Sequence, residues 1–136
     1  MKKMTWALVL LWFVVDLYSM DIHCLVPNDI PMFTYHRIQY PIACGMIDED
    51  TGKSVTPLGE FKVIGKGIVD EKNSIYGTRV IVLNYLRHGK HLCIHGTNEP
   101  RKIGKHVSNM CIRMKNSDVE ELYKIIQKGD TVAILE

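Results

Sequence analysis

The sequence has 136 residues, of which 46% are hydrophobic, and a formal net charge of +2 at pH 7. This length suits one domain that can bury a sizeable core. The charge is small and dispersed, and no stretch interleaves aromatic with basic residues. These features argue against a protein that binds nucleic acid.

The first twenty residues differ in character from the rest. Lys2 and Lys3 precede an apolar run at residues 4–15. A short positive segment followed by about a dozen apolar residues is typical of a secretory signal. A permanent spanning helix needs roughly 20 apolar residues, so the run is short for one. We therefore expect residues 1–20 to be a signal peptide or a short N-terminal anchor of an exported chain, and residues 21–136 to form its domain. Contact with the membrane would then be limited to the N-terminal segment.

The chain contains four cysteines, and in an exported protein these could form disulfides. Cys24, Cys44 and Cys93 lie in apolar, strand-like surroundings. A cysteine there is usually a small buried hydrophobic residue, and we interpret all three in this way. A bridge between Cys24 and Cys44 stays open, because spacing does not determine connectivity.

Short apolar runs separated by turn residues follow the N-terminal segment and predict a mainly β domain, either a sandwich or a barrel. The acidic segment at residues 48–53 predicts a solvated turn. The clearest hairpin joins a strand at residues 78–86 to one at residues 91–95 through a turn at residues 87–90. A closing strand is expected at residues 131–135.

One helix is predicted near the C-terminus. Ser117 and Glu120 have the spacing of a capping box, which would start the helix. Gly129 is the expected terminator. Apolar residues at helical spacing would form one buried face: Val119, Leu122, Tyr123 and Ile126.

The stretch at residues 91–114 contains the residues with the clearest chemistry. His95 lies at one end of a basic loop and Cys111 at the other. A thiol is a useful nucleophile only as thiolate, so it needs a nearby base or positive charge. A loop that returns to its start would bring His95 beside Cys111, with Arg113 two residues further on. This arrangement predicts nucleophilic catalysis, with main-chain N–H groups stabilising the oxyanion.

Two other interpretations stay open on the residues alone. His91, Cys93 and His95 alternate, so a strand would present all three on one face. Together with Cys111 they would make a His2Cys2 set suited to zinc. Alternatively, His95 simply ends a strand and the basic loop is solvated surface.

Two ordered motifs then resemble a known family. His-Gly-Thr at residues 95–97, Ile-Gly at 103–104 and Ser-Asn-Met-Cys-Ile-Arg-Met at 108–114 resemble the signature of the L,D-transpeptidase (YkuD-type) catalytic domain. Thr-Pro-Leu-Gly-Glu-Phe at 56–61 resembles the TPxGxF segment of that family. The resemblance runs from about residue 22 to the end of the chain. It implies an L,D-transpeptidase-like β-sandwich with one α-helix near the C-terminus, and no metal or other cofactor.

The resemblance also implies an activity and a place. Members of the family cross-link bacterial peptidoglycan: a cysteine attacks the amide after the third residue of a donor tetrapeptide stem and releases D-alanine. An amine of an acceptor stem then resolves the acyl-enzyme and gives a 3→3 cross-link. Members that use water instead are L,D-carboxypeptidases, and this alternative stays open. The expected location is the periplasm or cell envelope of a bacterium, and carbapenems are expected to acylate the cysteine.

By match to the motif, Cys111 is the expected nucleophile and His95 the base. Ser108 occupies the position whose main-chain oxygen orients the histidine in such domains. The remaining motif positions are expected near the substrate or the oxyanion: Arg113, Gly96, Met110 and Asn109.

One departure concerns Met110, because the family motif has glycine immediately before the cysteine. Glycine is placed where the backbone needs positive φ or approaches another group closely. If such a conformation is required, methionine costs about 1–2 kcal/mol of local strain. Its side chain could also crowd the acyl pocket. A catalytically impaired peptidoglycan-binding relative is therefore a further alternative, and Met110→Gly is predicted to raise or preserve activity.

Overall fold

The computed structural model describes residues 20–23, 31–35 and 38–135. The predicted signal segment at residues 1–19 and Cys24 lie outside these ranges. Within them, no helix combines the length and the apolar character needed to cross a membrane.

The described residues form nine strands, one α-helix and one short 3-10 turn at Pro100–Lys102. The prediction of a mainly β fold with one helix near the C-terminus is confirmed for this part of the chain. The elements in chain order are β1 (Met20–His23), β2 (Met32–Tyr35), β3 (Ile38–Gly45), β4 (Gly59–Ile68), β5 (Arg79–Arg87), β6 (Lys90–His95), β7 (His106–Ser108), β8 (Ile112–Met114), α1 (Asn116–Ile125) and β9 (Thr131–Leu135).

Two long strands join the two halves of the curled sheet, whose order is β2-β1-β9-β4-β5-β6-β8-β3-β7. Strand β4 pairs with β9 through residues 59–62 and with β5 through residues 63–68. Strand β3 pairs with β2 through residues 38–41 and then with β8 through Ile42 and Ala43. Strands that change partners in this way form the corners of a β-sandwich.

Alternation along the strands places the core between the two halves. In β4, Phe61 and Val63 are buried while the residues between and beyond them face outward. Helix α1 packs against this core through Val119 and Leu122, and Ile126 just past its end is also fully buried. Tyr123, predicted on the same face, is only half-buried; the Lys66 amine lies over its ring, 4.5 Å from the centroid.

The predicted ends of the helix are wrong. Lys115 precedes the first helical residue with φ −58° and ψ 145°, and no side chain caps the helix. Ser117 therefore lies inside the first turn, and no capping box forms. Gly129 lies beyond Ile126, the residue that follows the helix. Its φ of 95° and its N–H bond to the Val63 oxygen instead shape the turn into β9.

Three smaller predictions have mixed outcomes. The β5–β6 hairpin forms as predicted, with positive φ at His88 and Gly89 in its two-residue turn. The acidic segment is an exposed turn in which the Asp48 carboxylate accepts two main-chain N–H bonds. Cys44 is fully buried but disulfide-bonded, so its interpretation as a plain buried hydrophobic residue is wrong.

Candidate active site

Two parallel strands bring the two ends of the basic loop together. Strand β6 ends at His95 and β8 begins at Ile112, and they pair through Ile94 with Ile112 and His95 with Arg113. This register places Cys111 next to the last residues of β6. The sequence could not reveal the pairing, because it depends on the path of a loop with no hydrophobic period. The predicted meeting of His95 and Cys111 does occur.

His95 is held in one tautomer by its own backbone neighbour. Its Nδ1 atom lies 2.6 Å from the main-chain oxygen of Gly96, and the residue is 5% exposed. A carbonyl oxygen can only accept, so in the neutral ring the proton is on Nδ1. Nε2 is then the nitrogen available to Cys111. Tyr76 packs edge-on against the imidazole with ring centroids 5.1 Å apart.

The environment of Cys111 favours the thiolate. A hydrogen bond from the Cys93 thiol is the largest influence that lowers the pKa of Cys111, to about 4. Burial of the sulfur acts in the opposite direction, and a hydrogen bond with His95 and the charge of its ring lower the pKa further. A sulfur ionised at neutral pH beside a base is the chemistry required for nucleophilic attack.

Gly96 lies where two backbone segments cross closely. A Cβ atom added at this residue would lie 3.1 Å from both the Gly77 Cα and the Thr78 nitrogen, and it would collide with the Asn116 side chain. Gly77 has φ +65° and packs against the backbone of Gly96 and Thr97. Asn116, the first residue of α1, accepts a 3.0 Å hydrogen bond from the Thr97 N–H. Helix α1 and the turn before β5 therefore both fix the histidine end of the site.

The contacts of Ser108 differ from those predicted. Its main-chain oxygen accepts a 2.8 Å hydrogen bond from the Met46 N–H, and its hydroxyl donates to the Cys111 oxygen at 2.6 Å. The partner of the His95 Nδ1 atom is Gly96 instead. Ser108 thus fixes the turn that bears Cys111 rather than the imidazole. The reason is that β7 pairs with β3, which directs the Ser108 oxygen towards Met46.

Met110 does not have the strained backbone that its place in the motif suggested. Among the described residues, the non-glycine residues with positive φ are Asn73 and His88. The Met110 side chain is 7% exposed and belongs to the core cluster. Its main-chain oxygen accepts a 2.8 Å hydrogen bond from the Thr56 hydroxyl, which itself accepts the Gly45 N–H. The expected strain is therefore wrong, and methionine at this position fills the core.

The other two motif positions lie at the rim. Arg113 is partly exposed and its guanidinium lies 3.9 Å from the carboxylate of Glu99, which also contacts Lys102 at 3.1 Å. Asn109 is exposed on the turn before Cys111. Both remain candidates for contact with a substrate.

The zinc interpretation lacks a cluster to support it. Across the described ranges, no group of three or more His, Cys, Asp or Glu side chains could hold a metal ion. The His91 ring turns away to within 3.3 Å of the Leu83 main-chain oxygen. Cys93 and His95, by contrast, both contact Cys111.

A polar cleft of about 260 Å3 opens next to the His-Gly-Thr segment. Thr97, Asn98 and Asn116 line one part of it, and the loop between β4 and β5 lines the remainder. The Thr78 hydroxyl, also in the lining, is buried without a hydrogen-bond partner in the described structure.

The sequence matches the YkuD family, the L,D-transpeptidase catalytic domain, over residues 13–134. The chain belongs to this family. Relatives include YkuD of Bacillus subtilis (strain 168), 41% identical over 97 residues that cover 70% of this chain and 51% of that protein. YqjB of the same organism is 32% identical over 122 residues, covering 80% and 66% respectively.

Solved structures of L,D-transpeptidases share the fold. L,D-transpeptidase 3 from Mycobacterium tuberculosis, in complex with a faropenem-derived adduct, matches with a TM-score of 0.59 and 17% identity. The match covers 87% of this chain and 60% of that one. The chain spans between half and two thirds of the curated relatives described above.

Three neighbours of the site were not identified from the sequence as functional. The apolar surroundings of Cys93 in the sequence predict a plain core residue, yet its half-buried thiol contacts Cys111. Tyr76 and Asn116 come from other parts of the chain and carry no motif signal beyond the Gly77 break and the helix start. Only the strand alternation of His91, Cys93 and His95 offered a clue to Cys93.

Proposed function

We propose that this chain is an exported L,D-transpeptidase that forms 3→3 cross-links in peptidoglycan through a cysteinyl acyl-enzyme. The observation that supports this most directly is that the β6–β8 pairing brings Cys111 close enough to His95 for the imidazole to favour the thiolate, in a chain of the L,D-transpeptidase family. The lowered pKa of Cys111 gives the nucleophile in its reactive form.

In the first proposed step, the Cys111 thiolate attacks the carbonyl carbon between the third and fourth residues of a donor tetrapeptide. The carbonyl oxygen becomes an oxyanion, which main-chain N–H groups of the turn bearing Cys111 would stabilise. His95 in its imidazolium form then donates a proton to the departing amine, and D-alanine leaves. A thioester joins the tripeptide to Cys111.

In the second step, His95 is neutral and its Nε2 atom can accept a proton, because Nδ1 is occupied by the Gly96 oxygen. An amine of an acceptor stem loses its proton to Nε2 as it attacks the thioester. The Cys111 thiolate leaves and the 3→3 amide remains. If water attacks instead, the product is a free tripeptide and the chain acts as an L,D-carboxypeptidase.

The surroundings suit a peptide substrate with polar groups. The cleft lined by Thr97 and Asn116 lies next to the His-Gly-Thr segment, and most of its lining residues are polar. We place part of the stem peptide in this cleft. Arg113, partly exposed and only weakly paired with Glu99, could bind a stem carboxylate.

The proposal extends to inhibitors and to location. The structure of L,D-transpeptidase 3 from Mycobacterium tuberculosis is a complex with an adduct derived from faropenem, a penem, and we propose that β-lactams of the penem and carbapenem classes acylate Cys111 of this chain. We also propose export to the periplasm or cell envelope, supported by the basic and apolar pattern of residues 1–20.

The test is to incubate the full chain with a disaccharide-tetrapeptide and follow the products by mass spectrometry. The proposal predicts free D-alanine together with a dimer joined through a 3→3 amide, and neither with Cys111→Ala. Tripeptide without dimer would instead identify a carboxypeptidase. If a folded wild-type chain forms no product, that result would contradict both the transpeptidase and the carboxypeptidase activity.

A further inference from the structure

Two free thiols lie side by side at the proposed site. Strands β6 and β8 are parallel and pair through Ile94 and Ile112, so Cys93 and Cys111 occupy the preceding positions of the same ladder. Ile94 and Ile112 are fully buried, and the residue before each points to the opposite face. Both sulfur atoms approach the His91 main-chain oxygen, Cys93 at 3.6 Å and Cys111 at 3.7 Å.

We infer that Cys93 is a positioning residue whose S–H donates a hydrogen bond to the Cys111 thiolate and holds it in place for attack. This inference rests on the proposed role of Cys111 as nucleophile. Cys93 itself does not touch the substrate in this account; it acts through the sulfur beside it.

The environment determines which of the two sulfurs is ionised. Cys111 also contacts His95, whose positive form attracts a thiolate. The shared hydrogen bond and, after it, burial raise the pKa of Cys93, so Cys93 keeps its proton. The pair therefore carries one negative charge, located on Cys111, and one proton, located on Cys93.

The His91 oxygen gives the Cys93 proton a second acceptor. When Cys111 is neutral, the Cys93 S–H can donate to this oxygen at 3.6 Å. When Cys111 is ionised, the His91 carbonyl cannot donate a hydrogen bond to the thiolate. The Cys93 S–H then rotates towards Cys111 and donates a hydrogen bond to the thiolate instead. Without Cys93, the thiolate would lose this donor and still face the carbonyl dipole.

Other charged groups near the site are engaged elsewhere. The His91 ring lies 3.3 Å from the Leu83 oxygen, and the Arg113 guanidinium lies 3.9 Å from Glu99. The groups that lower the pKa of Cys111 are the Cys93 and His95 side chains, together with a hydrogen bond from the Cys93 main chain. Replacing Cys93 with alanine thus removes the thiol contact and leaves the contacts of Cys111 with the His95 side chain and the main chain of residue 93 intact.

The test measures alkylation of Cys111 by iodoacetamide in the full chain from about pH 3 to about pH 8, with peptide mass mapping to separate the two cysteines. We compare wild type with Cys93→Ala and Cys93→Ser. A hydrogen bond to a charged group is worth about 1.5–3 kcal/mol, so Cys93→Ala should raise the midpoint for Cys111 by about one unit or more. Cys93→Ser keeps a donor and should return the midpoint towards wild type.

Circular dichroism at each pH restricts the comparison to folded protein. An unchanged midpoint in folded Cys93→Ala would overturn the inference, as would a Cys93→Ser midpoint equal to that of Cys93→Ala. Alkylation needs no peptidoglycan, so this result is separate from the test of the proposed function. A shifted midpoint in a chain that forms no cross-links would refute only the function.

Discussion

The main-chain N–H of Thr97 donates a 3.0 Å hydrogen bond to the Oδ1 atom of Asn116. This contact ties the end of the His-Gly-Thr segment to the first residue of helix α1. Since His95 lies two residues before Thr97, the helix fixes the backbone that carries the proposed base. The helix thereby has a role in the site as well as in the core.

We therefore expect Asn116→Ala to weaken both stability and catalysis. The lost hydrogen bond should reduce the free energy of unfolding by about 1 kcal/mol, and the rate of acyl-enzyme formation should fall as His95 loses its fixed position. Asn84→Ala is a matched control, because its Oδ1 atom likewise accepts a main-chain N–H bond, from Lys62 at 2.7 Å between β4 and β5. Equal rates for the two variants would contradict a role for Asn116 in the site.

Gly96→Ala should be far more damaging than a glycine substitution elsewhere. The added Cβ atom would collide with the Asn116 side chain and would lie 3.1 Å from two backbone atoms, the Gly77 Cα and the Thr78 nitrogen. The end of β6 and the start of β5 would therefore have to move apart. Overpacking of this kind costs about 1–3 kcal/mol, and the proposed base would shift. In Gly67→Ala, the control, nothing lies within 4 Å of the added atom. Thermal melts and acylation rates measured on both variants check this.

Met110→Gly should lower the stability of the protein without slowing acylation of Cys111. Removal of a buried methionine side chain is expected to cost about 2–5 kcal/mol, because a cavity opens in the core. Backbone strain is not relieved, since Met110 does not have positive φ. The folded fraction should still acylate at the wild-type rate or faster. Met110→Leu, which nearly conserves volume, should lose less than about 1.5 kcal/mol. A folded Met110→Gly variant with clearly slower acylation would refute this account.

The pH dependence should report the state of Cys111. The lowered pKa of about 4 means that the thiolate is present above this value and is lost as the pH falls through it. In His95→Asn, the contact and charge of the imidazole are removed, so the alkylation midpoint of Cys111 should rise. Cross-linking should also fall strongly in that variant, because the base is missing. His91→Asn, on the same strand with its ring turned towards Leu83, should leave the midpoint unchanged.

Much of the fold could be predicted because local patterns carry it. The β5–β6 hairpin follows from alternation and the turn at His88 and Gly89, and the buried helix face follows from the spacing of Val119, Leu122 and Ile126. The ends of the helix were harder to predict than its buried face. The start of α1 is set by the backbone leaving β8 at Lys115, a tertiary feature that a capping pattern does not reflect.

The site was predictable only in part, for the same reason. His95 and Cys111 stand in recognisable motifs, but the neighbours that shape their environment come from distant segments. Cys93 and Asn116 reach the site through the β6–β8 register and the start of the helix. Ser108 shows the opposite case: its motif position was noted, but the pairing of β7 with β3 gives it a different contact.

Intact mass spectrometry of the full chain after incubation with a carbapenem directly tests whether Cys111 is the nucleophile. We expect one covalent adduct, mapped to Cys111, and no adduct on Cys111→Ala. An unmodified wild-type chain that is folded, or an adduct carried by Cys93 in place of Cys111, would contradict the claim that Cys111 is the nucleophile.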